Sequence, residues 1–260
     1  MGSPAARKAA LSDPIEFMLQ GSNAQAIASW SQAWRLNHTL PYVSYTISTP
    51  AAWWAQPTQS FDSYASLAAV IGTPGAIGPN VTILLYDNEK WPATPLDEQQ
   101  APQQYETQFC ALAHSYNYAC MTAPALDLVV FSAPQTQWQA YLSQNYPQFS
   151  AAVSDFYEIQ AQGYERNPVY ATLVNSAAQQ AQNANSNIWV LSGLTTNSPP
   201  QEQGTPTLQN LTDDIAATRT SATGGFWLNI PSPGPNCPNC GPPNIPLAES
   251  LIQAENFKAP

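Results

Sequence analysis

Short apolar runs recur along this chain at intervals of about thirty to forty residues. They fall at 15–20, 42–48, 81–87, 118–123, 156–162, 188–194 and 225–230. Each is too short for a helix core and rich enough in β-branched and aromatic residues to read as a strand. Between them lie Ala- and Gln-rich segments with apolar positions at helical spacing, at 23–36, 60–71, 96–116, 135–149, 169–182, 207–220 and 245–257. Helix starts carry their own signals: Ser60 with Ser63 as caps, Pro95 at a first turn, and Pro206 just before Leu208. Strand and helix alternate throughout, and that order predicts a parallel sheet.

An open doubly wound sheet and a barrel both satisfy this order, and the strand faces choose between them. A doubly wound sheet buries both faces under helices, whereas a barrel has one helix-covered face and one interior face that can turn polar near its mouth. In the fifth run Tyr157, Ile159 and Ala161 alternate with Glu158, Gln160 and Gln162. The second run alternates Ser44, Thr46 and Ser48 with Val43, Tyr45 and Ile47, the first carries Glu16 and Gln20, and the last carries Trp227 and Asn229. Polar faces of this kind converge when the sheet closes on itself. The reading is therefore an α/β chain folded as a (β/α) TIM-like barrel of seven or eight parallel strands. A strand that the runs do not reveal would be absent or hidden in the Pro-rich stretches. Residues 1–12 read as a flexible terminus beginning with an expression scar, and 13–257 as a single barrel domain with no internal linker. No Gly-rich phosphate fingerprint follows any strand, which removes the main support for a nucleotide fold.

Composition narrows the partner. Only 9% of the 260 residues are charged, against about 25% in an average soluble domain. The net charge is −10, from seven basic and seventeen acidic residues with no basic cluster. That balance excludes nucleic acid and anionic membranes as expected partners. Eight Trp and twelve Tyr in so polar a chain suit a sugar ligand, because aromatic faces pack on the apolar faces of sugar rings. No run is long enough to span a bilayer. Four Cys, few Lys and abundant Asn and Gln resemble a secreted protein whose leader has been removed, so an extracellular monomer is expected. Cys110 and Cys120 are placed to bridge a helix to the following strand. Cys237 and Cys240 sit in a rigid Pro-rich loop, bridged or free. Beyond those two thiols only the distant His38 and His114 could complete a zinc site, so neither a metal nor a cofactor is expected.

Candidate chemistry gathers where strands end, as in other parallel α/β proteins. The third run passes through Tyr86 into Asp87, Asn88, Glu89, Lys90 and Trp91. Asp87 and Glu89 are two apart and point to one face. Each raises the other's pKa, and an aromatic wall from Tyr86 or Trp91 would raise it further, toward the range of a useful general acid. Glu158 is the second carboxyl, either a catalytic partner or a buried structural acid. Gln160, Gln162, Asn197, Trp227 and Asn229 complete an inventory suited to sugar hydroxyls and rings. Glu165 beside Arg166 reads as a solvated ion pair. Neither His stands at a strand end, which weakens Ser-His-Asp and Cys-His readings.

The sequence Asp87-Asn88-Glu89 at a strand end resembles the last part of the D-x-x-D-x-D-x-E signature of glycoside hydrolase family 18, with Leu85 and Thr82 where the earlier Asp residues would stand. The resemblance implies Glu89 as acid/base and Asp87 as the carboxylate that steadies a substrate acetamido group. Trp227 resembles the Trp that floors that family's subsite. The same D-x-E also resembles the muramidases of glycoside hydrolase family 25. The function read from the sequence is thus a secreted glycoside hydrolase acting on a neutral or N-acetylated oligo- or polysaccharide through Glu89, Asp87 and Glu158. The alternatives are a non-catalytic carbohydrate- or cell-wall-binding barrel and a small-molecule lyase or isomerase using the same acids.

Overall fold

The computed structural model describes residues 17–19, 58–78, 81–197, 204–233 and 241–256. Seven strands form one parallel sheet: β1 (Phe17–Leu19), β2 (Thr58–Phe61), β3 (Ile83–Tyr86), β4 (Ala119–Thr122), β5 (Phe156–Ile159), β6 (Trp189–Thr195) and β7 (Gly225–Asn229). Their spatial order is β1-β7-β6-β5-β4-β3-β2, every neighbouring pair parallel. Chain order therefore runs cyclically around the sheet, with one interval between β1 and β2. The expected strand at 42–48 and helix at 23–36 belong to that interval of sequence and lie outside the described residues.

The sheet curls, and its apolar contacts demonstrate it. Met18 on β1 belongs to one packed cluster with Ile83 and Leu85 on β3, Met121 on β4, Phe156 on β5, Leu191 on β6 and Trp227 on β7. Strands at nearly opposite ends of the order share one set of side chains only if the concave face closes around them. The alternate residues of the same strands face outward onto helices. Leu84, Tyr86 and Cys120 pack with Phe109, Cys110 and Ala113, while Tyr157, Ile159, Val190 and Leu228 pack with Leu173, Val174, Ala177 and Leu211. This two-faced arrangement is the expected (β/α) barrel architecture. Its interior, however, is apolar at depth and polar only toward the ends of the strands.

The helices follow local chemistry. α1 (Tyr64–Val70) starts at Ser63, whose hydroxyl accepts from the Ser66 amide at 3.0 Å. The segment 96–116, expected as one helix, is two. α2 (Leu96–Gln100) and α3 (Pro102–Ser115) meet at Ala101 because Pro102 has no amide to continue the ladder. The segment 135–149 divides likewise into α4 (Gln137–Ser143) and α5 (Tyr146–Val153) at Asn145, which takes a left-handed backbone just before Pro147. α6 (Val169–Ala184) is unbroken. α7 (Leu208–Thr218) begins with a capping box between Thr207 and Asn210, and α8 (Ile245–Asn256) ends the described chain.

Cys110 on α3 and Cys120 on β4 form the expected disulfide, with Cα atoms 5.3 Å apart. Cys237 and Cys240 lie outside the described residues. No helix among the described residues is long and apolar enough to cross a membrane. One strand escaped the sequence reading altogether. Thr58–Phe61 was expected to begin a helix at Ser60, but it pairs with β3 from Thr58 opposite Ile83 to Phe61 opposite Tyr86, and the helix starts only after Ser63.

Candidate active site at the carboxyl end of the sheet

The loop that leaves β3 is built around one threonine. The Thr94 hydroxyl donates to the Asp62 carbonyl at 2.7 Å and accepts from the Trp91 indole N–H at 2.8 Å and from the Glu89 amide at 3.4 Å. Gln99 on α2 ties the same turn down, donating to the carbonyls of Trp91 at 2.9 Å and Thr94 at 2.7 Å. Glu98, one residue earlier, is buried and accepts from the amides of Tyr64 and Ala65 and from the Tyr86 hydroxyl. The backbone bearing Asp87 and Glu89 is thereby clamped to the end of β2 and to α2.

Asp87 is buried at the end of β3. Gln160, just past β5, donates to Asp87 Oδ1 at 3.1 Å and to the Ala123 carbonyl at 2.9 Å. Its side chain also hydrogen-bonds Glu89, so one amide organises both carboxyls. Burial first, and then the like charges of Asp127 and Asp62, push the Glu89 carboxyl up to about 7, against the lowering effect of Gln160. Asp127 is positioned by accepting from the Lys90 amide at 3.0 Å.

Glu158 lies deeper on β5 and is fully buried. Gln162 donates to its Oε1 at 3.4 Å, while Oε2 has no partner. Burial, followed by the charges of Asp87 and Glu89, holds this carboxyl well above the usual carboxylate range. Gln162 reaches Glu158 by crossing directly over Gly193 on β6, where a Cβ would fall 2.3 Å from the Gln162 amide carbon. Gly193 stands opposite Trp227 in the strand register. The Trp227 indole is 3% exposed, packs among the apolar residues of the concave face, and leaves its N–H without a partner.

The structure thus brings Asp87, Glu89, Glu158, Gln160 and Gln162 together at one end of the sheet, while Trp227 is buried in the apolar interior. Trp91 lies on the Glu89 loop, and Asn229 stands at the same rim opposite Thr195. Two expected site residues are elsewhere. Tyr86 points to the helix side, fully buried, stacked on Phe109 with ring centroids 4.8 Å apart, because residues next to Asp87 in a strand face the other way. Asn197 donates to the Pro242 carbonyl and accepts from the Thr205 hydroxyl, joining loops rather than facing the carboxyls. The reading of Glu165 as a solvated ion pair is also corrected. It is buried, accepts from the amides of Gly163 and Thr195 at 2.8 and 2.6 Å, and is pushed up to about 8 by that burial.

Asp62, Thr94, Gln99 and Asp127 were not singled out from the sequence. Asp62 follows β2, so recognising that strand would have flagged it. Asp127 sits within an apolar run in a short 3₁₀ turn, Leu126–Leu128, and carries no local signal.

No family model matches the chain, and no curated protein matches it by sequence. Several solved structures are similar in fold. Bee venom hyaluronidase aligns over 94% of this chain and 96% of its own, at 9% identity and a TM-score of 0.53. A GH128 endo-β-1,3-glucanase from Amycolatopsis mediterranei aligns over 91% and 98%, at 10% identity and 0.49. A class V chitinase from Pseudomonas fluorescens aligns over 92% and 100%, at 10% identity and 0.47. The likeness to the hyaluronidase is one of fold, and it agrees with the cyclic strand order in placing this chain among (β/α) barrels.

Proposed function

We propose that the chain is a glycoside hydrolase that cleaves a polysaccharide with Glu89 as the proton donor. The observation that carries this reading is the Glu89 carboxyl itself, on a strand-end loop, mostly buried, and raised to about 7. A group with that pKa is protonated near neutral pH yet can give its proton to a departing glycosidic oxygen, which is what general-acid catalysis requires. Gln160 holds Asp87 beside it. Burial and then the charges of Asp87 and Glu89 disfavour ionisation of Glu158, which makes it the poorer nucleophile. That favours Asp87 as the carboxylate that assists the reaction, either by steadying a substrate group or by stabilising positive charge at the sugar ring. Gln162 and Asn229 stand at the same end of the sheet and suit sugar hydroxyls. The disulfide is consistent with folding in an oxidising compartment and therefore with secretion.

The test is release of reducing ends from a panel of neutral, N-acetylated and amino polysaccharides and peptidoglycan by the wild type and by Glu89→Gln. We expect cleavage of at least one polymer by the wild type and a fall in turnover of roughly 10² to 10⁴ in the variant, with little change in affinity. Binding without cleavage would instead support a carbohydrate-binding barrel. Full activity in Glu89→Gln would remove Glu89 from the chemistry.

A further inference from the structure

Five carboxyls converge on one end of the sheet. Asp62 and Asp127 act on Glu89 from the β2 and β4 loops, and Asp87 and Glu89 act in turn on the buried Glu158. Positive charge there is sparse among the described residues. Lys90 is exposed beside Asp127, and Arg166 is exposed on the loop after β5, its guanidinium against Gly204. The remaining Arg among the described residues is at the other end, where Arg219 binds Glu255 before β7.

Acid clusters alone say little, but this one contains buried polar atoms that nothing satisfies. Glu158 Oε2 and the Trp227 N–H are both inaccessible and both without a partner, on the concave face beneath the cluster. Buried polar groups in a folded protein are ordinarily paired, so the Glu158 oxygen, which feels the charges of Asp87 and Glu89, is the atom of this cluster that a ligand reaching it would satisfy. A neutral ligand could satisfy the hydrogen bonds but would leave the mutual repulsion of the carboxyls untouched. A ligand that brings its own positive charge relieves both, and lets carboxyls here ionise against it. A metal ion is a poor fit, since no three acidic, His or Cys side chains among the described residues stand close enough to hold one.

We propose that this site takes a polysaccharide whose sugars carry free, protonated amino groups, in preference to its N-acetylated or uncharged counterparts. This rests on the hydrolase reading for the site's location only, since recognition of the amine can be measured without turnover. The experiment is calorimetric binding of glucosamine and galactosamine oligomers, each free and fully N-acetylated, to Glu89→Gln at pH 6 and low salt. We expect at least one free-amine oligomer to bind about tenfold or more tightly than its acetylated form. We also expect Asp127→Asn and Asp62→Asn, introduced into the same background, to shrink that gap several-fold. Asp213→Asn, which removes an equal charge from an exposed position on α7, should leave it unchanged. Preference for the acetylated oligomers, or no binding of any amino oligomer, overturns the proposal. So does an equal loss in Asp213→Asn, which would reveal attraction by net charge alone. A polymer cleaved in the panel above but bound without regard to its amines would leave the hydrolase reading standing and sink only this one.

Discussion

At the scale of single residues, the behaviour of the site turns on the proton held by Glu89. Glu89 is raised to about 7, chiefly by burial and then by Asp127. A general acid works in its protonated form, so kcat/KM should be level below that pH and fall about tenfold per unit above it. Asp127→Asn keeps the acceptor for the Lys90 amide but removes the like charge, and should move the falling limb to lower pH. A limb unmoved in that variant, or still present in Glu89→Gln, would mean that another group titrates. Gly193 gives a second test. A Cβ there would occupy the space of the Gln162 side chain, whose far end is free to swing away, so Gly193→Ala should leave the thermal midpoint near the wild-type value. It should nonetheless separate Gln162 from Glu158 and weaken substrate binding several-fold. A collapse in stability with no specific effect on binding would show that Gly193 is there for packing. Asp87, Glu89, Glu158, Gln160 and Gln162 were legible in the sequence because strand periodicity and strand ends locate them. Asp62 and Asp127 were not, because Asp62 follows a strand that alternation does not reveal and nothing in the neighbourhood of Asp127 marks it.

The elements show a related division. Alternation of apolar residues locates strands β3 to β7 closely, since Leu84 and Tyr86 must meet helices while Ile83 and Leu85 meet the interior. It fails at β2, where Thr-Gln-Ser-Phe has a single large apolar residue and where Ser60, with Ser63 just beyond the strand, reads equally well as a helix cap. It also fails to divide 96–116 and 135–149, because apolar spacing persists across Pro102 and Pro147 even though the hydrogen-bond ladder cannot. Between α3 and α5 the structure buries a carboxyl that periodicity had no means of flagging. Glu106 is fully buried, accepts from the Ser150 hydroxyl at 2.7 Å, and is pushed up to about 8 by desolvation. An unfolded Glu titrates near 4.3 (about), so between these values only the folded state keeps the proton. Stability contributed by this group is fully present below the lower value and declines as pH rises toward about 8. Glu158 and Glu165 are shifted in the same direction. Thermal midpoints should therefore be lower at pH 8 than at pH 5, and Glu106→Gln should flatten that decline without abolishing it. An unchanged slope in the variant would mean that Glu106 is already ionised in the folded protein.

For the whole molecule, the cyclic strand order and the curl of the sheet put every strand's carboxyl end on one rim, and the chain's charge is distributed unequally about it. The net charge of −10 is a property of the full sequence, but Asp62, Asp87, Glu89 and Asp127 concentrate negative potential where the proposed substrate would enter. The sequence alone points to a neutral or N-acetylated polymer. Folding changes that inference, because residues scattered between positions 62 and 158 become neighbours and their fields add over an apolar floor of low dielectric. The likeness to bee venom hyaluronidase extends across 94% of the chain, yet a shared barrel leaves the rim free to differ, since loops and side chains rather than the sheet set what a barrel admits. A uronic-acid polymer should accordingly be excluded: it should be neither cleaved nor able to compete with a cleaved substrate at low ionic strength. Raising the salt to about 0.3 M shortens the screening length below the roughly 10 Å that applies at 0.1 M, and should let weak competition appear. If the polyanion instead competes well at low salt and less well at high salt, positive charge governs entry, and the rim carboxyls must be answered by cations that the described residues do not supply.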